Sequence, residues 1–354
     1  MMARLEEICA INMGQSPDSS TYNEDGNGLP FFQGNADFGE TYPAVRMWCS
    51  EPTKIAREKD ILISVRAPIG ALNIANCECC IGRGLAALTV NEDICAQEYL
   101  WHALSGKVDE LNSKGTGSTF KAINKKTLSE TEIPLPPIDE QRKIAAILDK
   151  VSDLIAKRQQ QLDKLDEAVK ARFVEIFGDC YTNPHNLPIE KWNNIFSITT
   201  GKLDSNAAVE NGKYPFFTCS KETLRINTYA FDQEALLLAG NNAAGKYDVK
   251  YYCGKFNAYQ RTYVLSLKHD WSYALFRFQL EDKLGYLEQQ SLGGLTKYLT
   301  LKILNELEFI VPPKEEQDKF AAFVDQIEKT KTTVSHSLEK LETLKKALMQ
   351  EYFR

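Results

Sequence analysis

Ile133-Pro134-Leu135-Pro136-Pro137-Ile138-Asp139-Glu140-Gln141 decides how this chain is built, because it has a second copy, Ile310-Val311-Pro312-Pro313-Lys314-Glu315-Glu316-Gln317. Sliding the sequence by 176 residues lays 117–177 on 293–353 without a gap, with 21 identities in 61 positions. They include Lys121/Lys297, Leu128/Leu304, Glu140/Glu316, Gln141/Gln317, Asp149/Asp325, Leu165/Leu341 and Phe177/Phe353. Ungapped likeness over that length marks an internal duplication. Upstream the likeness loosens. Gly14 after Ile8 and Ile11 resembles Gly201 after Ile195 and Ile198, and Pro30-Phe31-Phe32 resembles Pro215-Phe216-Phe217. Asp60-Ile61-Leu62-Ile63 resembles Glu234-Ala235-Leu236-Leu237, and the offsets here range from 174 to 187. Scaffold is shared; loops differ in length.

After each proline pair a long helix is expected. Asp139 and Glu140 sit in the first turn of the first one, where acids suit the helix dipole. Neither Gly nor Pro occurs from Ile138 to Phe177, and Gly178 follows as a cap. A heptad frame fits, with Ile144, Val151, Arg158, Leu165 and Arg172 at one seam position and Leu148, Ile155, Leu162, Val169 and Ile176 at the other. The copy places Phe320, Ile327, Val334, Leu341 and Leu348 beside Val324, Lys331, Leu338, Lys345 and Tyr352. Each helix should run about 55–58 Å at 1.5 Å per residue. A helix of that length with one apolar stripe needs a partner, and each is the other's most economical one. Ile144, Leu148, Val151, Ile155, Leu162, Leu165, Phe320, Val324, Ile327, Val334, Leu338 and Leu341 are the expected interface. Arg158, Arg172, Lys331 and Lys345 interrupt it.

The stretches between the helices have another texture. Short apolar runs such as Ile61-Leu62-Ile63-Ser64-Val65 and Leu85-Ala86-Ala87-Leu88-Thr89-Val90, punctuated by Gly and Pro, read as strands. Residues 96–113 read as a helical stretch, with Tyr99, Leu100, Ala103, Leu104, Val108 and Leu111 recurring at helical spacing. The expectation is an α+β protein with two similar mixed α/β domains, 1–137 and 179–313, and two long helices, 138–178 and 314–354. An antiparallel coiled coil of those helices would give it approximate two-fold symmetry.

The 354 residues suit two or three domains, and 43% apolar with 25% charged residues is a soluble mix. No apolar run approaches the ~18–20 residues of a membrane span. The first 30 residues lack a basic start followed by an apolar stretch, so a cytoplasmic protein is expected. Nine cysteines, clustered only at Cys77-Glu78-Cys79-Cys80, read as reduced thiols; no second CxxC or HxxxH accompanies them. Net charge is −6, all of it in residues 1–137, while 179–313 is balanced. Such a chain does not grip nucleic acid by charge alone.

Catalytic signatures are missing. Gly240-Asn241-Asn242-Ala243-Ala244-Gly245-Lys246 follows a strand-like run as a phosphate-binding loop would, but Tyr247 stands where Ser or Thr must hold magnesium. His102, His185, His269 and His336 form no ligand or triad spacing. A recognition surface remains. Lys114, Thr116, Ser118, Thr119 and Lys121 lie in a hydroxyl-rich, glycine-rich loop suited to approaching phosphate, and its copy keeps Lys297 before Tyr298. Gln15, Ser16, Gln33, Asn35 and Arg83 in the first half, and Lys202, Asn241, Asn242, Lys246, Gln260 and Arg261 in the second, are further candidates. Arg, Asn and Gln can pair with purine edges. Two alternatives stay open: a coiled-coil assembly scaffold without DNA readout, and a nucleotide-using enzyme built on Gly240–Lys246.

Together these features resemble the specificity subunit of type I restriction–modification systems. The match lies in Gly14-Gln15-Ser16-Pro17, Pro30-Phe31-Phe32-Gln33-Gly34, Gly82-Arg83-Gly84, Gly117-Ser118-Thr119 and both proline junctions with their helices. The resemblance implies two target-recognition domains, each reading half of a bipartite double-stranded DNA sequence. It implies helices that space these domains and dock two methyltransferase subunits, joined by restriction/translocase subunits. S-adenosylmethionine, ATP and Mg2+ would belong to those partners and none of them to this chain. The acidic first domain departs from what a DNA reader is expected to be, so the methyltransferases would supply much of the backbone affinity.

Overall fold

The computed structural model describes residues 1–117, 121–243 and 245–353. Both long helices are present, Ile138–Phe177 and Lys314–Phe353, each of 40 residues. The proline pair explains where each begins. Pro137 has no N–H to place in the first turn, and its carbonyl accepts from Glu140 and Gln141 (2.9 and 3.0 Å); Pro313 accepts from Glu316 and Gln317 (3.0 and 3.1 Å). Gly178 ends the first helix at φ 74°, its N–H on the Val174 carbonyl, as a left-handed cap requires.

The identical glutamines fasten helix to globule. Gln141 and Gln317 are fully buried. The Gln141 side-chain carbonyl accepts from Ala96 N–H (2.9 Å), and its amide donates to the carbonyls of Pro136 (2.8 Å) and Ile94 (3.1 Å). Gln317 accepts from Ser272 N–H (2.9 Å) and donates to Pro312 (2.8 Å). Ala96 and Ser272 are the residues that open the helices Gln97–Ser105 and Tyr273–Asp282. A buried side chain thus closes the polar accounting at two helix starts at once.

The chain divides into two compact units. One is Met1–Gln159 with His336–Arg354, the other Gln160–Ser335. In the first, the strands Cys9–Met13, Leu85–Val90, Ile61–Ser64 and Leu72–Ile74 form an antiparallel sheet in that order. A second sheet carries Leu29–Phe32 parallel to Cys79–Ile81. Ile61, Ile63, Ala86 and Leu88 face Tyr99, Leu100 and Leu104, and this core continues onto Ile144, Leu148 and Phe353. In the second unit the strand Val249–Ala258 is long enough to pair with both Phe231–Ala239 and Tyr214–Phe217, so one six-stranded sheet replaces two. Its core joins Leu236, Leu238, Leu265 and Phe276 to Phe173, Phe177 and Phe320. Each unit packs the start of one long helix beside the end of the other, which is antiparallel pairing.

All twelve expected interface positions are buried or half-buried. Of the four interruptions, Lys331 and Arg172 meet carboxylates: Lys331 Nζ lies 2.7 Å from Asp166 Oδ1, and Arg172 pairs with Glu175 (2.8 Å) while its guanidinium lies over the Phe323 ring. Two expectations change. The helical stretch at 96–113 is two helices, Gln97–Ser105 and Val108–Ser113, because Gly106 caps the first by donating to His102. The offset for the central strand is 175 rather than 174. Ser64 pairs with Leu85 as Ala239 pairs with Thr262, so Leu62 corresponds to Leu237. A slip of one would turn every side chain to the other face.

Candidate functional site

In the first unit the structure gathers loops that are far apart in sequence. Gly14 and Gln15 donate to the carbonyls of Leu85 (2.9 Å) and Ile81 (3.0 Å). Gly82 donates to Phe32 (2.8 Å) and Gly84 to Gln33 (3.2 Å), and Arg83 N–H donates to Ser16 Oγ (3.3 Å). The Asp37 carboxylate accepts from the N–H groups of Gln33 and Gly34, fixing the loop that carries Asn35. Gln15, Gln33 and Arg83 are exposed; Ser16 and Asn35 are half-buried.

A chain of backbone bonds ties this cluster to the glycine-rich loop. Val65 donates to Gly84 (2.9 Å), Ile123 donates to Val65 (2.9 Å), and Thr116 and Ala122 exchange bonds of 2.9 Å. The second unit repeats the chain. Gly240 donates to Arg261 (2.9 Å), Leu299 donates to Gly240 (2.9 Å), and Leu292 and Tyr298 exchange bonds of 3.1 and 2.8 Å. Asn241 and Asn242 pair as a short strand with Tyr298 and Lys297. Gln260 N–H donates to Leu203, next to Lys202, and Asn241, Gln260, Arg261 and Tyr298 line a cavity of about 190 Å³. Lys202, Lys246, Gln260, Arg261 and Tyr298 are exposed, and Lys297 is half-buried.

The candidates differ in what their charges do. Lys114 is held by Glu110 (2.6 Å), which also binds Lys107 (2.8 Å); hydrogen bonds from both lysines hold the Glu110 carboxyl below its ordinary range. No described carboxylate lies within 4.0 Å of the side-chain nitrogens of Arg83, Lys121, Lys202, Lys246, Arg261 or Lys297. Ser118 and Thr119 lie outside the described residues. Arg66 is a residue the sequence reading passed over. It is exposed and bridges Ala122 as Asn241 bridges Tyr298, so it occupies the position of Asn241; the offset of 175 is the signal that identifies it.

The other motifs resolve into structure. Past Gly240 the chain forms the short strand Asn241–Asn242 and returns as the strand Val249–Ala258. A phosphate loop instead needs a helix N-terminus there. Cys79 and Cys80 lie in a buried strand, and burial pushes the Cys79 thiol up to about 12 and the Cys80 thiol upward as well. His102 is buried, with Nε2 2.7 Å from Asp149 Oδ1. No described helix is long and apolar enough to cross a membrane.

Comparison with known proteins agrees with this arrangement. A chain of Methanocaldococcus jannaschii assigned to the MjaX type I restriction enzyme as its specificity subunit is 43% identical over 165 residues, 47% of this chain and 39% of that one. The EcoDI specificity subunit of Escherichia coli is 35% identical over 162 residues, 44% of this chain and 35% of its own length. The chain therefore spans well under half the length of these two relatives. The crystal structure of the type I restriction–modification S subunit from M. genitalium superposes with a TM-score of 0.70 over 100% of this chain and 96% of its own, at 15% identity, a likeness of fold. A family profile described as the type I restriction modification DNA specificity domain matches residues 1–167 and 190–343, and the chain belongs to that family.

Proposed function

We propose that this chain is the sequence-reading subunit of a type I restriction–modification complex. Each globule reads one half of a bipartite site on double-stranded DNA. The observation that carries this is the repeated edge. In both units the same backbone-bonded series joins a turn, a strand end and a glycine-containing loop, and in both it presents Arg, Lys and Gln side chains to solvent. Backbone bonding fixes where those groups stand, and preorganised donors and acceptors are what base-edge recognition needs.

The chain itself carries out no chemistry in this reading. Two methyltransferase subunits and the restriction/translocase subunits dock on it and bring S-adenosylmethionine, ATP and Mg2+, in the cytoplasm. Ile147 and Leu154 favour such docking: they are exposed, one heptad apart, and off the seam of the first long helix. The negative balance of the first globule fits a reader whose phosphate affinity comes mainly from partners.

The test is an exchange of residues 179–313 for the corresponding domain of another family member, followed by mapping of methylated sites in cells. One half of the motif should change while the other stays. Two half-sites changing together, or a motif with one undivided element, would sink the two-reader function. A complex that marks DNA without sequence preference would leave the chain as an assembly scaffold.

A further inference from the structure

Within the DNA-reading function proposed above, one pair of positions stands out. Leu85 N–H donates to the Gly82 carbonyl (3.0 Å) and Thr262 N–H to the Tyr259 carbonyl (2.9 Å), so 82–85 and 259–262 are the same turn in the two units. Each turn follows the strand that pairs in parallel with a Phe-Phe run, Phe31-Phe32 or Phe216-Phe217. Each is anchored at three equivalent points. Gly82 and Tyr259 donate to Phe32 and Phe217 (both 2.8 Å), and Gly84 and Arg261 accept from Val65 and Gly240 (both 2.9 Å). Arg83 and Gln260 donate their own N–H groups to the neighbouring loop, at Ser16 and Leu203.

The side chain at the second position of each turn is therefore held on a fixed backbone. In the first unit both flanking residues are glycine, required at 84 and favoured by tight space at 82. A Cβ at position 84 would stand 2.5 Å from the Gln33 carbonyl oxygen, and one at 82 would meet Gln33 Cα at 3.0 Å. Arg83 is thus the one side chain the turn projects, and no described carboxylate lies within 4.0 Å of its guanidinium. Gln260 is exposed, with its Nε2 at 3.4 Å from Asp204 Oδ2, a long contact that a better partner would displace.

We propose that Arg83 and Gln260 are corresponding specificity-determining side chains, Arg83 set for a guanine edge in one half-site and Gln260 for an adenine edge in the other. The guanidinium fork matches O6 and N7 of guanine, and the carboxamide matches N6 and N7 of adenine. The duplicated scaffold would then hold one reading position per globule, with different chemistry at each.

The experiment uses the full chain assembled with methyltransferase subunits and maps methylated sites for Arg83→Gln and Gln260→Arg. Arg83→Gln should change a single base pair of one half-site and lower methylation of the original sequence roughly ten- to a hundredfold. Gln260→Arg should do the same in the other half-site alone. An unchanged motif for both variants overturns the assignment. So does a loss spread evenly over all sequences, which marks a phosphate contact. If Arg83→Gln does not fold, Arg83→Lys decides: discrimination at one base pair should weaken, and full discrimination overturns the assignment. A wild-type complex that marks no defined sequence sinks the DNA-reading function itself, an outcome separate from these.

Discussion

Where a globule meets the ends of the long helices, the two units fill equivalent positions with different chemistry. In the second unit Phe173, Phe177, Phe278 and Phe320 form one aromatic group, with Phe173 stacked on Phe278 at 4.4 Å and the Phe320 ring 5.7–5.8 Å from the other three. At the 176-residue offset the first unit has Met349, Phe353, His102 and Ile144. There the end of the second long helix is held by Phe353 against Tyr99 at 5.2 Å and the early part of the first by the His102–Asp149 contact. Asp325 is identical to Asp149 and is exposed like it, but at the position equivalent to His102 the second unit carries Phe278, which cannot bond a carboxylate. The duplication preserved the positions and the glutamine fastening while the apolar filling drifted, as cores tolerate when volume is kept.

That contrast can be broken at its strongest point. Phe320→Ala removes the ring that touches three others and should destabilise the second unit by about 3–5 kcal/mol, more than Ile144→Ala does the first. Amide hydrogen exchange, read separately over 160–335 and 1–159, reports each; equal losses would show that the aromatic group adds nothing to the junction.

The glutamines sharpen the likeness instead. Gln141→Ala leaves one buried N–H and two part-buried carbonyls without a partner and should cost about 2–4 kcal/mol, and Gln317→Ala leaves two buried groups and should cost about 1–3 kcal/mol. Urea unfolding of the two variants tests the order. A neutral result in either would mean that water replaces the side chain there and that the fastening is not shared.

The smallest effect separates the identical aspartates. Asp149→Ala loses a contact to a buried histidine, discounted because Asp149 is itself half exposed, and should cost about 1 kcal/mol. Asp325→Ala, on the solvent side, should stay within about 0.5 kcal/mol. Matching thermal shifts for both would mean that His102 draws nothing from its neighbour.

Residues whose role depends on their own neighbours in sequence were legible. The proline pairs, the absence of Gly and Pro through 138–177, the cap at Gly178 and the heptad positions are local signals, and helical period turns them into a buried face without knowledge of the rest. The polar loops were legible only as separate candidates. What makes Gln15, Gln33 and Arg83 one edge is bonding between segments some 50 to 70 residues apart, and a sequence carries no mark of which segments meet.

Strand register shows the same limit. Leu62 aligns with Leu236 or Leu237 equally well by composition, and only the pairing of Ser64 with Leu85 and of Ala239 with Thr262 chooses between them. The choice then places Arg66 opposite Asn241 and reveals it as part of the edge. Lys331 looked like a bare interruption of the apolar seam until folding brought Asp166 of the other long helix to 2.7 Å. The sequence by itself determined the duplication, the two helices and the kinds of side chain available for recognition, because those follow from periodicity and residue chemistry. The tertiary structure alone decided which of them stand together and which charges are already spent, because hydrogen bonds and ion pairs act through space.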